Sequence, residues 1–374
     1  MIFMSLIDYA CRSLGVFFCE AVRMLKYIVK RIMEASLSIK KDNHFLPQMY
    51  LKNWCNEQGK VFQYRKVVQH ENVPIWKDYH PSAIGYSQYL YVNTQNGNPD
   101  DILENWFDSN YEFPAKKSID KVIRNERLTR NDYKLLVNFV ALQDLRTPKR
   151  YFEDLERSSE QLLSEITKDV VNEVKSNITP DFKPDGKPYY HDSLPIKVEV
   201  EDGGVVKVTW LLGRASWLWS IQHILTTVAE QLQQNSWTIL HPANGMSWLT
   251  SDNPVVRLNY ENSKSYDFNG GWANPNSEVI LPLGPRHLLY TQVGVSPPIL
   301  RGTKLTVDQT HNINRMIAEN CHNFVVSHEI RDDIELLIPR IVDEEKVEAE
   351  KEHWKNWHLS HQNAELVFYR DKNA

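Results

Sequence analysis

The second half of the chain carries a series of short apolar segments, WTIL, SWLT, PVVRL, EVILPL and HLLYTQV, joined by Asn, Gly and Pro turns. Runs of that length bounded by turn formers read as strands rather than helices. Just before them, IKVEVED and VVKVTWLL alternate apolar and polar residues on either side of Gly203 and Gly204, the pattern of a hairpin. Between these two groups the period changes. Trp217, Ile221, Ile224, Leu225, Val228 and Leu232 fall on one helical face, with Trp219 and His223 one turn apart on the other side. Strands and helices gathered in separate stretches predict an α+β fold, a single domain over residues 40–330 with a mixed or antiparallel sheet and a helical layer.

Helix signals are clear in the first half. Thr129 with Asp132 three residues on marks a helix start, Leu136, Phe139 and Val140 form its apolar stripe, and the pattern stops before Pro148. Asn98, Pro99 and two aspartates announce an earlier helix carrying Ile102, Leu103, Trp106 and Phe107, which Pro114 is expected to kink or end. A run from about Tyr151 to Ser176 reads as an exposed helical arm. A helix over Val307–Asn320, the strand NFVVS and an acidic helix from about Asp343 to Trp357, within a tail spanning residues 331–374, complete the reading.

Residues 1–32 form an amphipathic pattern of their own. Ile7, Leu14, Phe17, Phe18, Leu25 and Ile28 share a face opposite Arg12, Glu20, Lys26 and Lys30. Three readings stand: a helix docked on its own domain, a helix over residues 7–32 that meets a partner or a membrane surface, or an overlong gene start with Met33 as the first residue. Apolar runs of the length of a membrane span, about 18 residues, do not occur. With 42% hydrophobic and 24% charged residues the composition is that of a soluble globular protein, and a net charge of −5 gives no global positive field to attract nucleic acid. Cys11, Cys19, Cys55 and Cys321 form no CxxC pair, so reduced thiols in a cytoplasmic protein are expected.

No nucleotide-loop, nucleophile-elbow or zincin motif occurs, so any chemistry rests on three constellations. His44, Gln48 and Tyr50 cluster around Pro47 and place an imidazole, an amide and a phenol on one loop, as an acid/base or ligand group or as a proline-fixed turn. TSDNP, Thr250–Pro254, sits at a strand end with Asp252 and Asn253, as a polar site group or as a plain turn. Gln143 lies at the centre of the apolar stripe of the helix after Thr129 and Arg146 on its edge. An inward arginine must pair, with Asp252 or Glu104 as the structural choice or an anionic ligand as the functional one. Glu104 and Glu112 would face similar directions on a continuous helix and could offer two carboxylates to a divalent cation, although no motif specific to a metal or another cofactor supports one.

The segments NHFLPQMYLKNW, FVALQDLRTP, SWLTSDNPVV, ILPLGPRHLLY and INRMIAENCHNFVVS resemble, in order and spacing, the bacterial domain of unknown function 4238 over about Asn43 to Ser327. His44, Pro47, Gln48 and Tyr50 take the places of that family's first motif, and Trp54 stands where Phe is expected. The resemblance implies where a site would be, since Gln143, Arg146 and Asp252 lie inside its motifs, and it implies no reaction. Two functional classes follow. In one, the protein takes an anionic ligand and hydrolyses a phosphodiester or nucleotide, with Arg146 holding charge, His44 as acid/base, Asp252 as base or metal ligand, and Gln48, Gln143 and Asn253 binding. In the other it is a non-catalytic sensor or interaction protein in which the same residues form a structural network.

Overall fold

The computed structural model describes residues 39–94, 99–157, 160–177, 187–190, 194–201, 205–295 and 300–372. The amphipathic pattern of residues 1–32 lies outside them. One compact unit starts at Asp42. It opens with β1 (Asp42–His44), a single helical turn α1 (Gln48–Leu51), β2 (Val61–Arg65), β3 (Val67–Val68), β4 (Lys77–Tyr79) and β5 (Tyr86–Gln88). A helical block follows: α2 (Ile102–Phe107), α3 (Phe113–Ile123), α4 (Arg130–Leu145), α5 (Pro148–Arg157) and α6 (Glu160–Asn177). Next come β6 (Tyr189–Tyr190), β7 (Ile196–Glu201), β8 (Val205–Trp210), α7 (Arg214–Thr227) and α8 (Ala229–Gln233). The remainder contains β9 (Thr238–Leu240), β10 (Thr250–Ser251), β11 (Val256–Asn262), β12 (Ser265–Asp267), β13 (Glu278–Gly284) and β14 (His287–Gln292). It ends with α9 (Val307–Glu319), β15 (Phe324–Ser327), α10 (Ile334–Leu337), β16 (Ile341–Val342) and α11 (Glu344–Phe368).

This is an α+β fold whose two larger sheets are antiparallel. One has strand order β12-β11-β13-β14-β9 and the other β10-β15-β2-β4. β7 and β8 pair as the expected hairpin, Ile196 opposite Trp210. EVILPL lacks alternation because both faces of β13 are covered. Val279, Leu281 and Leu283 enter a core shared with Phe139 and Leu142 of α4 and Trp217 of α7, while Ile280 joins Leu258, Leu288, Met316 and Ile317 on the other side. A strand with two apolar neighbours has no reason to place polar residues on either face.

Local chemistry explains where the helices start and turn. Thr129 accepts a hydrogen bond from the Asp132 N–H and Asp132 accepts one from the Thr129 N–H, a reciprocal cap that begins α4. Pro114 does not end the preceding helical stretch. Residues 108–112 widen into a π turn, and the helical run continues through Pro114, the second residue of α3.

The acidic helix α11 runs on past Trp357 to Phe368, because its last turns are needed for packing. Phe368 and Tyr369 join Leu211, and Trp357 is buried in the main core. Glu365 on α11 forms a fork with Arg214 of α7, 2.9 Å from Nε and 2.7 Å from Nη2, and also accepts from the Thr94 hydroxyl. Arg214 follows Gly213, whose φ of +94° and the 2.8 Å separation between a hypothetical Cβ and His361 Cε1 both demand glycine. Glu365→Ala leaves a buried guanidinium without its carboxylate, so it is expected to cost on the order of 3–5 kcal/mol in a denaturant titration.

Histidines on and beside α11 make stability fall in acid. Burial pushes both His322 and His361 down to about 4; His322 faces Glu350, Lys149, Lys346 and Lys66, and His361 faces Arg214 and His353. An unfolded imidazole titrates near about 6.5, so the unfolded chain takes up protons first as the pH drops. The stabilisation is therefore complete above about pH 6.5 and is lost as the pH falls toward 4, on the order of 3 kcal/mol for each group. Melting temperatures recorded from pH 7 to about pH 4 should decline across that window and recover partly in His322→Phe, whose ring can keep the stacking on Phe152.

Candidate functional site

The last turn of α4 is polar and still buried: Gln143, Asp144, Arg146 and Thr147 are all sealed from solvent. Arg146 Nε donates to the Phe45 carbonyl at 3.1 Å and Nη1 to Glu112 Oε1 at 2.6 Å, while its guanidinium lies 5.9 Å from the centre of the Phe107 ring. With its amide oxygen turned to Arg146, Gln143 accepts from Nη2 and Nε at 3.0 and 2.9 Å and donates to the Phe45 carbonyl at 3.2 Å. Burial works against the Arg146 charge, but Glu112, Tyr91 and Glu104 outweigh it and raise its pKa. The partner of Arg146 is therefore Glu112, not Asp252. The π turn explains why Glu112 faces inward, and Glu104 adds its charge without replacing it. Glu112 is thus engaged by a guanidinium, and no cluster of three or more His, Cys, Asp or Glu suited to a metal occurs among the described residues.

TSDNP is a clasp between distant elements. Asp252 Oδ1 accepts from the His322 N–H at 2.8 Å, and Oδ2 accepts from the Asn323 and Phe324 N–H groups at 2.6 and 3.2 Å. Asn253 Oδ1 accepts from the Thr147 hydroxyl at 2.8 Å, and its Nδ2 donates to the Asn320 carbonyl at 3.3 Å. Asn320 returns bonds to the Asn253 and Val255 carbonyls, and Lys149 Nζ donates to Asn320 at 3.0 Å. Tyr50 on α1 reaches the same turn, its hydroxyl 2.7 Å from Thr250 Oγ1. Burial pushes the Asp252 carboxyl up to about 6, against the opposite pull of the three N–H groups and of Lys149.

The expected residues are joined along one junction without forming a single cluster. Phe45 links His44 to Gln143 and Arg146, and Thr147 links the end of α4 to Asn253. No hydrogen bond or ion pair joins Arg146 to Asp252. The His44 ring packs on Tyr86 with centroids 5.3 Å apart and lies 3.4 Å from the Ser82 carbonyl, and Gln48 is exposed at the start of α1.

Asp252 borders an open cavity of about 590 Å³. Its other polar lining includes Gln63, Arg65, Asn323 and Glu350, and its aromatic lining includes Tyr79, Tyr86 and Trp354. Gln63 and Arg65 were missed by motif reasoning, although their spacing of two in an alternating strand places both on one face. Asn323 has no comparable sequence signal. It reaches the cavity because Asp252 captures its backbone.

An α+β domain with a sealed polar junction beside an open cavity is what these contacts define. The family described as protein of unknown function (DUF4238) matches residues 42–330, and the chain belongs to it. No curated protein and no solved structure matches the chain. Among the described residues no helix is long and apolar enough to cross a membrane.

Arg146→Leu leaves Glu112 and the Gln143 amide unsatisfied and is expected to cost on the order of 3–5 kcal/mol. Adding Glu112→Leu should recover part of that loss, and urea titrations of the single and double variants measure it.

Proposed function

We propose that the protein binds a small anionic ligand carrying a flat ring, a nucleotide in its simplest form, in the cavity bordered by Asp252. The observation that carries this reading is the meeting of Arg65, Asn323, Gln63 and the rings of Tyr79, Tyr86 and Trp354 around about 590 Å³, a volume in the range of small-molecule sites. Arg65 is part-exposed and gives one N–H to Glu350 at 3.0 Å, so its other donors are suited to a phosphate. Tyr79, Tyr86 and Trp354 offer faces for a base. On this reading Gln143, Arg146 and Asn253 support the wall from behind, and His44 acts next to it through Tyr86.

Binding without turnover is favoured by the capture of both Asp252 oxygens by backbone N–H groups. A second reading, hydrolysis of a phosphodiester or nucleotide, is favoured by the carboxyl pushed up to about 6, close to the pH where an acid/base group works best. Thermal-shift titrations with the four 5′-mononucleotides and with cyclic mononucleotides test both. At least one nucleotide should raise the melting temperature by several degrees, and Arg65→Ala should remove the response. The binding reading is abandoned if no nucleotide shifts the wild type at millimolar concentration. Nucleotide breakdown that persists in the wild type and vanishes in Asp252→Asn would establish the hydrolytic reading instead.

A further inference from the structure

A second cavity lies on another side of α5, bounded by β11 and by the loop that follows β12. It has a volume of about 650 Å³, and its lining includes Arg157, Arg257, Asn269 and Asn274. The arginine at its base is unusual in its pairing. Arg257 on β11 has a side chain only 12% exposed, yet its Nε makes no hydrogen bond among the described residues.

The nearby carboxylates are already committed. Asp144 Oδ1 accepts Arg150 Nε and Nη2 at 3.0 and 2.5 Å, and Oδ2 accepts Trp272 Nε1 at 2.8 Å. Glu153 accepts from Arg150 Nη1. Arg257 therefore approaches Asp144 only to 3.4 Å and Glu153 only to 4.0 Å. Asp144 and Glu153 are thus shared among the guanidiniums of Arg150, Arg157 and Arg257, and Arg257 has the longest of these approaches. Burial holds the Arg257 pKa below its ordinary value, and although Asp144 opposes this, Arg150 and Arg157 add to it. An anion in the cavity would favour the charged form of Arg257 through its terminal nitrogens.

The wall opposite is firmly placed. Trp272 is buried with its indole tied to Asp144, and a Cβ on Gly270 would fall 2.7 Å from the Leu258 backbone nitrogen, so the loop is pressed against the strand next to Arg257. Two guanidiniums and two side-chain amides offer more N–H donors than the two oxygens of a carboxylate can use, and they suit an anion with three or four acceptor oxygens. Glu153 and Glu156 also border the cavity; Glu153 is engaged by Arg150, and Glu156, like Arg157, is solvent-exposed, so the charges of both are screened and the buried Arg257 contributes most.

We propose that this cavity binds a phosphoryl group, held by Arg257 and Arg157 with the amides of Asn269 and Asn274, at a site separate from the one bordered by Asp252. Isothermal titration of the full chain at low salt with inorganic phosphate, phenyl phosphate and benzoate tests it. Saturable binding of a phosphate probe at least tenfold tighter than benzoate is expected. Phenyl phosphate binding more tightly than inorganic phosphate would identify a phosphomonoester with its organic part in the cavity, and equal affinity would identify the free anion. Arg257→Gln should weaken the phosphate probe at least tenfold. Arg157→Gln, at a rim position 64% exposed, should weaken it severalfold with an unchanged melting temperature, and it decides the matter if Arg257→Gln does not fold. Arg65→Ala should leave this binding untouched, which separates it from the nucleotide cavity. Absence of phosphate binding at millimolar concentration, or affinities unchanged in both arginine variants, overturns the proposal.

Discussion

The buried polar end of α4 is the constraint on which the rest of the unit depends. A helix that enters a core normally ends at the surface, where water can take its last carbonyls and side chains. Here Gln143, Asp144, Arg146 and Thr147 are sealed, so other parts of the chain must satisfy each of them. Gln143 and Arg146 hold the Phe45 carbonyl, Arg146 holds Glu112, Asp144 holds Arg150 and Trp272, and Thr147 holds Asn253. Even the Arg146 carbonyl is taken, by the Tyr91 hydroxyl at 2.6 Å. One helical turn thus fixes the first loop, the π turn, the start of α5, the TSDNP clasp and the glycine loop after β12.

This arrangement separates support from exposure. The inward arginine is neutralised by Glu112, whereas Arg65 and Arg257 border open cavities and keep donors to spare. A guanidinium is worth most to a ligand where its partners leave it incompletely bonded, and least where a fork or a carboxylate already satisfies it. The two cavities also share a neighbour, because Pro148 borders the first and α5 carries Glu153, Glu156 and Arg157 to the second.

Much of the local structure was legible in the sequence, for reasons that act over a few residues. Thr129 and Asp132 cap each other across three positions, and IKVEVED pairs with VVKVTWLL across a short connection. The inward placement of Gln143 and Arg146 follows from the 100° step of the helix. Their partners did not follow. Glu112 reaches Arg146 only because the helix before it opens into a π turn, and no residue pattern around Pro114 foretold that turn.

The amino-acid sequence by itself determined the fold class, the family, most of the elements and the inward placement of Gln143 and Arg146, because periodicity and capping are properties of neighbouring residues. Only the tertiary structure decided what those side chains meet. Asp252 is held by backbone N–H groups some seventy residues away, and every residue but proline carries that donor, so no letter of the sequence can mark it. The cavities are likewise gaps between elements distant in the chain. Their polarity depends on which carboxylates the packing leaves within reach of each arginine, a matter of tenths of an ångström that the chain settles only once it has folded.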